Sequence, residues 1–467
     1  MSKQPTCTNT CAQSHAGTVD YPRFTKKMKA THKLLLPQMS PIHFRMIAEV
    51  FRHAGYDVDV LENAGPSVVH AGQQYVHNDA CYPAILVIGQ FIDALKSGKY
   101  DLDRTALLIT QTGGGCRASN YIHMLRKALI KAGFPQIPVA SLNFSGLERG
   151  AGFRLSFPMM RKALAACLYG DALMSLSNQT RPYEIHPDET DALVTRYQAE
   201  IIQLFAHKRG YGKRDMQNLF RRMAQDFSNI PLVRTPKTKV GVVGEIYVKY
   251  SPVGNNHLEE FLRKEDCEVN VPGLLGFVQY CVSNAFETIH LYGGNKFTAD
   301  ACQLVLDYIN TREKMMLQAI EKYSTLHAPS SFMRTRALAE RVINLGVKMG
   351  EGWLLTGEMA ELIESGFFNI VCAQPFGCLP NHIVGKGMIK KLRTLYPAAN
   401  ITPIDYDPSA TRVNQENRIK LMLASAAESA RIAKSTLHAA QELATNRRTP
   451  PDFMSKVSGP VFGNLCL

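Results

Sequence analysis

Residues 111–122 read QTGGGCRASNYI, three glycines directly before Cys116 and Arg117. Consecutive glycines cost conformational entropy. A chain keeps them where a turn needs unusual dihedrals, or where its backbone must approach something closely. The thiol and guanidinium beside them point to a partner that is anionic or metallic. Two more cysteines stand in similar settings, Cys81 in ACYP and Cys378 in FGCLP, each just before a predicted helix. Helix starts offer free backbone N–H groups and partial positive charge. Those features stabilise a thiolate, and equally the bridging sulfides of an anionic iron–sulfur cluster. Gly113, Gly114 and Gly115 would let N–H groups approach sulfide with no Cβ in the way. Spacing alone does not decide the matter: there is no CxxC pair and no ferredoxin-type run, and dispersed cysteines are often plain packing residues. Glycine and proline around GGGCR and FGCLP mark loops, which favours the metal reading.

The elements that must position these thiols alternate between strand and helix. Residues 33–39, 57–61, 105–112 and 137–144 read as buried strands. Residues 41–55, 83–98 and 117–133 read as the helices between them, the second with proline in its first turn and glycine after its end. A second such unit starts near residue 236. It has a strand over 238–248 that runs into a loop, a helix in HLEEFLRKEDC, a short strand in EVNVPG and more helix over about 297–350. A strand-to-loop junction at 368–378, a helix over 381–397, a strand over 400–407 and a last helix over 411–443 follow. This rhythm predicts an α/β protein with two Rossmann-like parallel-sheet domains and a crevice between them. The expected divisions are a flexible tail (1–32), a first domain (33–155), a helical connector (156–235), a second domain (236–445) and an irregular tail (446–467). In open parallel sheets, loops after the carboxyl ends of strands form the ligand crevice, where Cys116 and Cys378 fall.

Composition narrows the function classes. The chain has 467 residues, 45% hydrophobic, with 11 cysteines and a formal net charge of +13. No apolar run is long enough to span a membrane. The opening MSKQPTCTNTCAQSHAG lacks the apolar core of a signal peptide, so the cytoplasm is the expected location, where disulfides are disfavoured. Cys167, Cys267, Cys281 and Cys302 read as packing residues, and Cys7 and Cys11 as loose thiols or an accessory metal pair. Positive charge gathers in 23–33 and 207–223. No zinc-finger, helix-turn-helix or RNA-binding aromatic motif accompanies it, so we expect a solvated basic face and no nucleic-acid partner. There is no P-loop, no dinucleotide-binding G-x-G-x-x-G, no G-x-S-x-G and no H-E-x-x-H.

Several stretches carry a resemblance: YVHNDACYPAILVIGQFIDALKSGKYDLDRTALLITQTGGGCRASNYI, VGVVGEIYVKY, GEGWLLTGEM and VCAQPFGCLPNHIVGKGMIKKLRTLYP. Over about residues 33–425 the chain resembles the 2-hydroxyacyl-CoA dehydratase superfamily. More narrowly, it is similar to the C-terminal region of large activase proteins related to the 2-hydroxyglutaryl-CoA dehydratase activator. The resemblance implies Rossmann-like domains around a cysteine-held iron–sulfur cluster in an oxygen-sensitive protein of anaerobes. It also implies a separate ATP-dependent iron–sulfur activator that delivers low-potential electrons, an acyl-CoA as possible substrate, and a homodimer or a heterodimer with a homologous subunit. The chain departs from the large activases in having no ATPase module. Relatives include dehydratases, benzoyl-CoA reductase-type enzymes and double-cubane reductases.

Carried over residue by residue, the resemblance puts cluster ligation on Cys81, Cys116 and Cys378. Three thiolates would hold one [4Fe–4S] cube per chain with one iron open; this is favoured over a double cubane, which would need more ligands than these three and Cys372. Cys372 is either a buried strand residue or a further ligand. Arg117 either neutralises cluster charge, holds a phosphate or carboxylate, or pairs on a helix surface. Asn78, Asp79, Asn381 and His382 flank two of the cysteines and either move protons at a substrate or cap helices. Glu245, at the end of VGVVGE, is a crevice carboxylate or a cap. Trp353 lines a partner surface or is buried. A zinc site of Cys81, Cys116, Cys378 and either Cys372 or His382 is the redox-inert alternative. A non-catalytic electron relay or maturation component, and a double-cubane cluster reductase of small molecules, are the others.

Overall fold

The structure, a computed structural model, describes residues 21–77, 79–111, 115–143, 153 and 155–446. The first half runs β1 (Lys33–Pro37), α1 (Pro41–His53), β2 (Asp57–Leu61), α2 (Pro66–Tyr75), α3 (Tyr82–Lys96), β3 (Thr105–Gln111), α4 (Tyr121–Ala132) and β4 (Val139–Asn143). Three helices follow, α5 (Phe157–Thr180), α6 (Glu189–Ala206) and α7 (Lys213–Ser228). The second half opens with β5 (Thr238–Gly244), α8 (Ile246–Tyr250), α9 (Leu258–Lys264), β6 (Cys267–Asn270) and α10 (Leu274–Tyr292). It continues with α11 (Lys296–Tyr323), α12 (Phe332–Val342), α13 (Gly352–Glu364), β7 (Asn369–Pro375), α14 (Ile389–Leu395), β8 (Asn400–Tyr406) and α15 (Arg412–Asn446). The fold is α/β, with two four-stranded parallel sheets in the orders β2-β1-β3-β4 and β6-β5-β7-β8. The two halves thus repeat one order, as two Rossmann-like units would. In each, the chain reverses direction across the sheet between the first and third strands, the place where a ligand crevice opens.

Apolar patterning explains the layers. Strand β3 is buried at all but one position, as expected when both faces of a parallel sheet are covered. Helix α3 is buried on every residue except Asp93 and Lys96, and α13 is buried from Gly352 to Ile363. Each leads into the third strand of its half. Helices α2 and α3 cross closely: a Cβ on Gly89 would start 2.1 Å from the Val68 carbonyl oxygen, and one on Gly72 would start 2.2 Å from that of Ile85.

The α5–α7 segment is part of the same interior. One cluster of buried apolar residues runs from Leu34 and Ile85 through Leu168 and Leu173 of α5 to Leu274, Val371 and Tyr406. A polar staple joins the same parts. Ser40 Oγ lies 2.7 Å from His43 Nδ1, and His43 Nε2 lies 2.8 Å from Asp171 Oδ1 on α5. The Asp171 carboxylate also accepts the first two amides of α10, Leu274 at 2.7 Å and Leu275 at 2.9 Å.

Several expected elements are corrected. The strand expected over 238–248 ends at Gly244, which has φ +151 and whose Cα packs on the Ala373 carbonyl, so the chain leaves the sheet there. The helix expected over 297–350 is two helices, α11 and α12, because Pro329 interrupts the run and Ser331 Oγ caps the second at Arg334 N–H. The helix expected over 381–397 is a π-helical turn (Asn381–Gly385), a 3-10 turn (Lys386–Met388) and α14. The one over 117–133 opens as a 3-10 turn, Arg117–Asn120. Phe24, placed in the expected flexible tail, is buried in the core. Cys281 is exposed and Cys302 half-buried, so these two are not core packing residues, whereas Cys167 and Cys267 are buried. No helix among the described residues is long and apolar enough to cross a membrane. Cys7, Cys11, Asn78, Gly113, Gly114 and the segment 447–467 lie outside the described residues.

Candidate functional site

The three singled-out thiols come from three different junctions. Cys81 stands directly before α3, whose first turn contains Pro83. Cys116 follows the end of β3 and stands directly before the 3-10 turn leading into α4. Cys378 follows the end of β7, its amide donating to the Pro375 carbonyl at 3.2 Å. The loops of the two halves interlock around them. Gly377, at φ +78, packs so that a Cβ would be 3.7 Å from Cys81 Cα. Gly115 lies against Met349, where a Cβ would start 2.5 Å from Sδ, and Gly350 lies against Pro380. The last of the three glycines therefore makes room for a side chain of the other half.

Cys81 and Cys378 are buried and Cys116 is half-buried. The Tyr121 hydroxyl, at the start of α4, lies 2.9 Å from Cys81 Sγ. Asn381 Nδ2 donates to Cys378 Sγ at 3.4 Å. Burial pushes the Cys116 thiol up to about 12, with Glu351, Glu245 and Cys81 adding to it against a lowering backbone hydrogen bond. Burial also raises Cys378, again with Glu351, Glu245 and Cys81 contributing. Cys81 is raised by burial and by Glu245, while Tyr121 and Arg117 oppose that rise. Three thiols and two carboxyls thus form one electrostatic group across the two halves.

The carboxyls are built in from the second half. Glu245 follows β5, and its amide extends the sheet by one bond to the Ala373 carbonyl at 3.1 Å. Its Oε2 caps α8, accepting the Val248 amide at 2.9 Å. Burial, and behind it the Glu351 charge, push the Glu245 carboxyl up to about 8. Glu351 stands directly before α13. Its Oε1 accepts the Ile246 amide at 2.9 Å and its Oε2 accepts Asn381 Nδ2 at 2.7 Å. Burial raises this carboxyl as well. Asn381, which makes both contacts, sits in the π-helical turn, a distortion that recurs at functional sites. Its Oδ1 and the Oε1 of Gln374 are buried without a hydrogen-bond partner.

Other expected residues fall elsewhere. His382 Nδ1 donates to the Cys378 carbonyl at 2.8 Å, and Nε2 lies 3.6 Å from Asp405, so both ring nitrogens face partners other than the thiols. Arg117 and Gly115 are exposed at the mouth of the site. Asp79 is exposed beside His77, at 3.4 Å. Cys372 is buried in β7 among Val243, Leu355 and Val384, and burial pushes its thiol up to about 12. Trp353 is fully buried and donates to Asn284 at 3.2 Å. Sequence reasoning missed Glu351 and Tyr121. The signal for Glu351 was its place before a helix, hidden because α13 is buried on nearly every face, polar residues included, and shows no amphipathic period. Among the described residues no group of three or more His, Cys, Asp or Glu side chains is arranged to hold a single metal ion.

No protein-family model matches the chain, and no curated protein matches it.

Proposed function

We propose that this chain is an iron–sulfur protein of the 2-hydroxyacyl-CoA dehydratase and benzoyl-CoA reductase-like class. In this reading Cys81, Cys116 and Cys378 hold one [4Fe–4S] cluster in the crevice between the two sheets. An ATP-dependent iron–sulfur activator supplies low-potential electrons, and the reaction is reductive or radical chemistry of the dehydratase type on an acyl-CoA. The observation that carries it is that thiols from three separate junctions lie close enough for Cys81 to raise both Cys116 and Cys378. The donor set fits: soft thiolates suit iron–sulfur clusters, and a cube spreads its ligands over separate corners rather than around one ion. Asn381 Oδ1, buried and unpartnered nearby, leaves a polar atom for a group yet to be bound.

When bound, the cluster would supply single electrons at low potential to an acceptor at the iron the thiolates leave open. The chain's own residues have separate tasks. Tyr121 and Asn381 donate to Cys81 and Cys378 and fix those sulfurs. Glu245, with its carboxyl raised to about 8, holds a proton at neutral pH at the crevice end of β5. It is the group we assign to proton transfer. Exposed Arg117 offers a cation to an anionic substrate group at the mouth. Burial of the thiols keeps water from the reacting atoms.

Anaerobic mixing with a dehydratase-type activator, ATP and a low-potential donor tests the functional part. The reading expects cluster reduction that needs ATP hydrolysis, and conversion of a 2-hydroxyacyl-CoA. Reduction without turnover of any acyl-CoA would favour an electron relay. No ATP-dependent reduction would overturn the assignment.

A further inference from the structure

The repeated topology exposes a fourth position. In the first half, the residue before the helix that feeds the third strand is Cys81, and the residue after that strand's turn is Cys116. In the second half the corresponding residues are Glu351, before α13, and Cys378, after β7. One half thus presents two thiols and the other a thiol and a carboxyl. Asn381 Nδ2 touches both of the latter, Glu351 Oε2 at 2.7 Å and Cys378 Sγ at 3.4 Å, so the carboxyl and the thiol are neighbours.

Glu351 is 7% exposed. A buried carboxylate needs a counter-charge or several donors. Among the described residues Glu351 has three N–H donors, the Ile246 amide, its own amide and Asn381 Nδ2, and no cation at ion-pair distance. Lys249, the cation nearest in influence, is committed to Glu358 at 2.9 and 3.0 Å. Both Glu351 oxygens are oriented by N–H groups, as those of metal-bound carboxylates are. The unpartnered Asn381 Oδ1 lies in the same corner.

We infer that Glu351 is the fourth protein ligand of the cluster, its carboxylate binding the iron that Cys81, Cys116 and Cys378 leave. The inference rests on the proposed iron–sulfur reading. On ligation each thiol gives its proton to solvent, while Glu351 binds as the carboxylate. An oxygen ligand matches this iron less well than sulfur, so this corner is the exchangeable one.

The test reconstitutes wild type, Glu351→Gln and Glu351→Cys anaerobically with iron and sulfide. Each is then treated with ferricyanide while released iron is counted and the EPR signal of a three-iron cluster is followed. Wild type should lose one iron per cluster. Glu351→Gln should lose it several-fold faster. Glu351→Cys, which places a thiol as Cys81 places one, should keep it. Equal rates in wild type and Glu351→Gln would overturn the ligand assignment. If Glu351→Cys does not fold by circular dichroism, the Glu351→Gln rate decides alone. Wild type that takes up no iron or sulfide would instead defeat the iron–sulfur reading, and this inference with it.

Discussion

The Tyr121 hydroxyl lies 2.9 Å from Cys81 Sγ, and the two residues open successive helices, α4 and α3, on the crevice side of the first sheet. This contact fixes the sulfur's direction before any metal arrives. A hydroxyl that donates to a ligating thiolate stabilises its negative charge less as iron is oxidised and more as it is reduced. Tyr121→Phe should therefore shift the cluster's midpoint potential to a more negative value, read by a dye-mediated EPR titration. In the apo-protein the same change should cost about 1 kcal/mol. An unchanged potential would mean that the Tyr121 contact is packing alone.

The α2–α3 crossing sets where Cys81 stands. Adding a methyl at Gly89 drives a Cβ toward the Val68 carbonyl oxygen, at 2.1 Å before relaxation. Gly89→Ala should destabilise the protein by about 1–3 kcal/mol or more, measured by urea denaturation. It should also lower metal uptake, because α3 must tilt. Wild-type stability would show that the two helices slide apart freely.

Asp171 serves His43 and the start of α10 with one carboxylate. Asp171→Ala leaves two buried amides and a buried imidazole without their acceptor. The expected loss is about 3–5 kcal/mol. His43→Ala combined with it should cost less than the sum of the single losses, since both changes break one network. Additive losses in a double-mutant cycle would separate the two residues.

The Glu245 carboxyl, raised to about 8 in the fold, keeps its proton to a higher pH than in the unfolded chain. The folded state therefore binds more protons than the unfolded one between the ordinary glutamate value and about 8. The stability this gives is present at low pH and is lost as pH rises through that window. Glu245→Gln removes the loss. In the apo-protein its melting temperature should exceed wild type by a few degrees at pH 8 and converge with it near pH 4.5. A variant less stable than wild type at pH 8 would contradict the assigned direction.

Much of the architecture was legible in the chain, because strands such as β1, β3 and β7 are continuous apolar runs closed by turn residues. The positions of Cys116 and Cys378 after strand ends followed from that reading. What stayed hidden has a physical cause. Helices α10 and α13 contain mixed or wholly buried faces, so neither shows a clear period of 3.6. Without α13, Glu351 had no place. Asn381, in the π-helical turn, donates to Glu351 thirty residues earlier in the chain, a contact no local pattern records. The meaning of Gly115 likewise lies in Met349 of the other half. His382 read as a proton donor by its nearness in sequence to Cys378, yet the turn points its ring at a carbonyl and Asp405.

The central claim is that Cys81, Cys116 and Cys378 hold one cluster. Iron and acid-labile sulfide per chain, measured on protein purified without oxygen and paired with EPR before and after reduction, test it most directly. The account predicts about four of each, with the signal and the iron lost in Cys81→Ala, Cys116→Ala and Cys378→Ala and kept in Cys167→Ala. A colourless protein with one zinc and no sulfide, or equal iron in Cys116→Ala and Cys167→Ala, would contradict it.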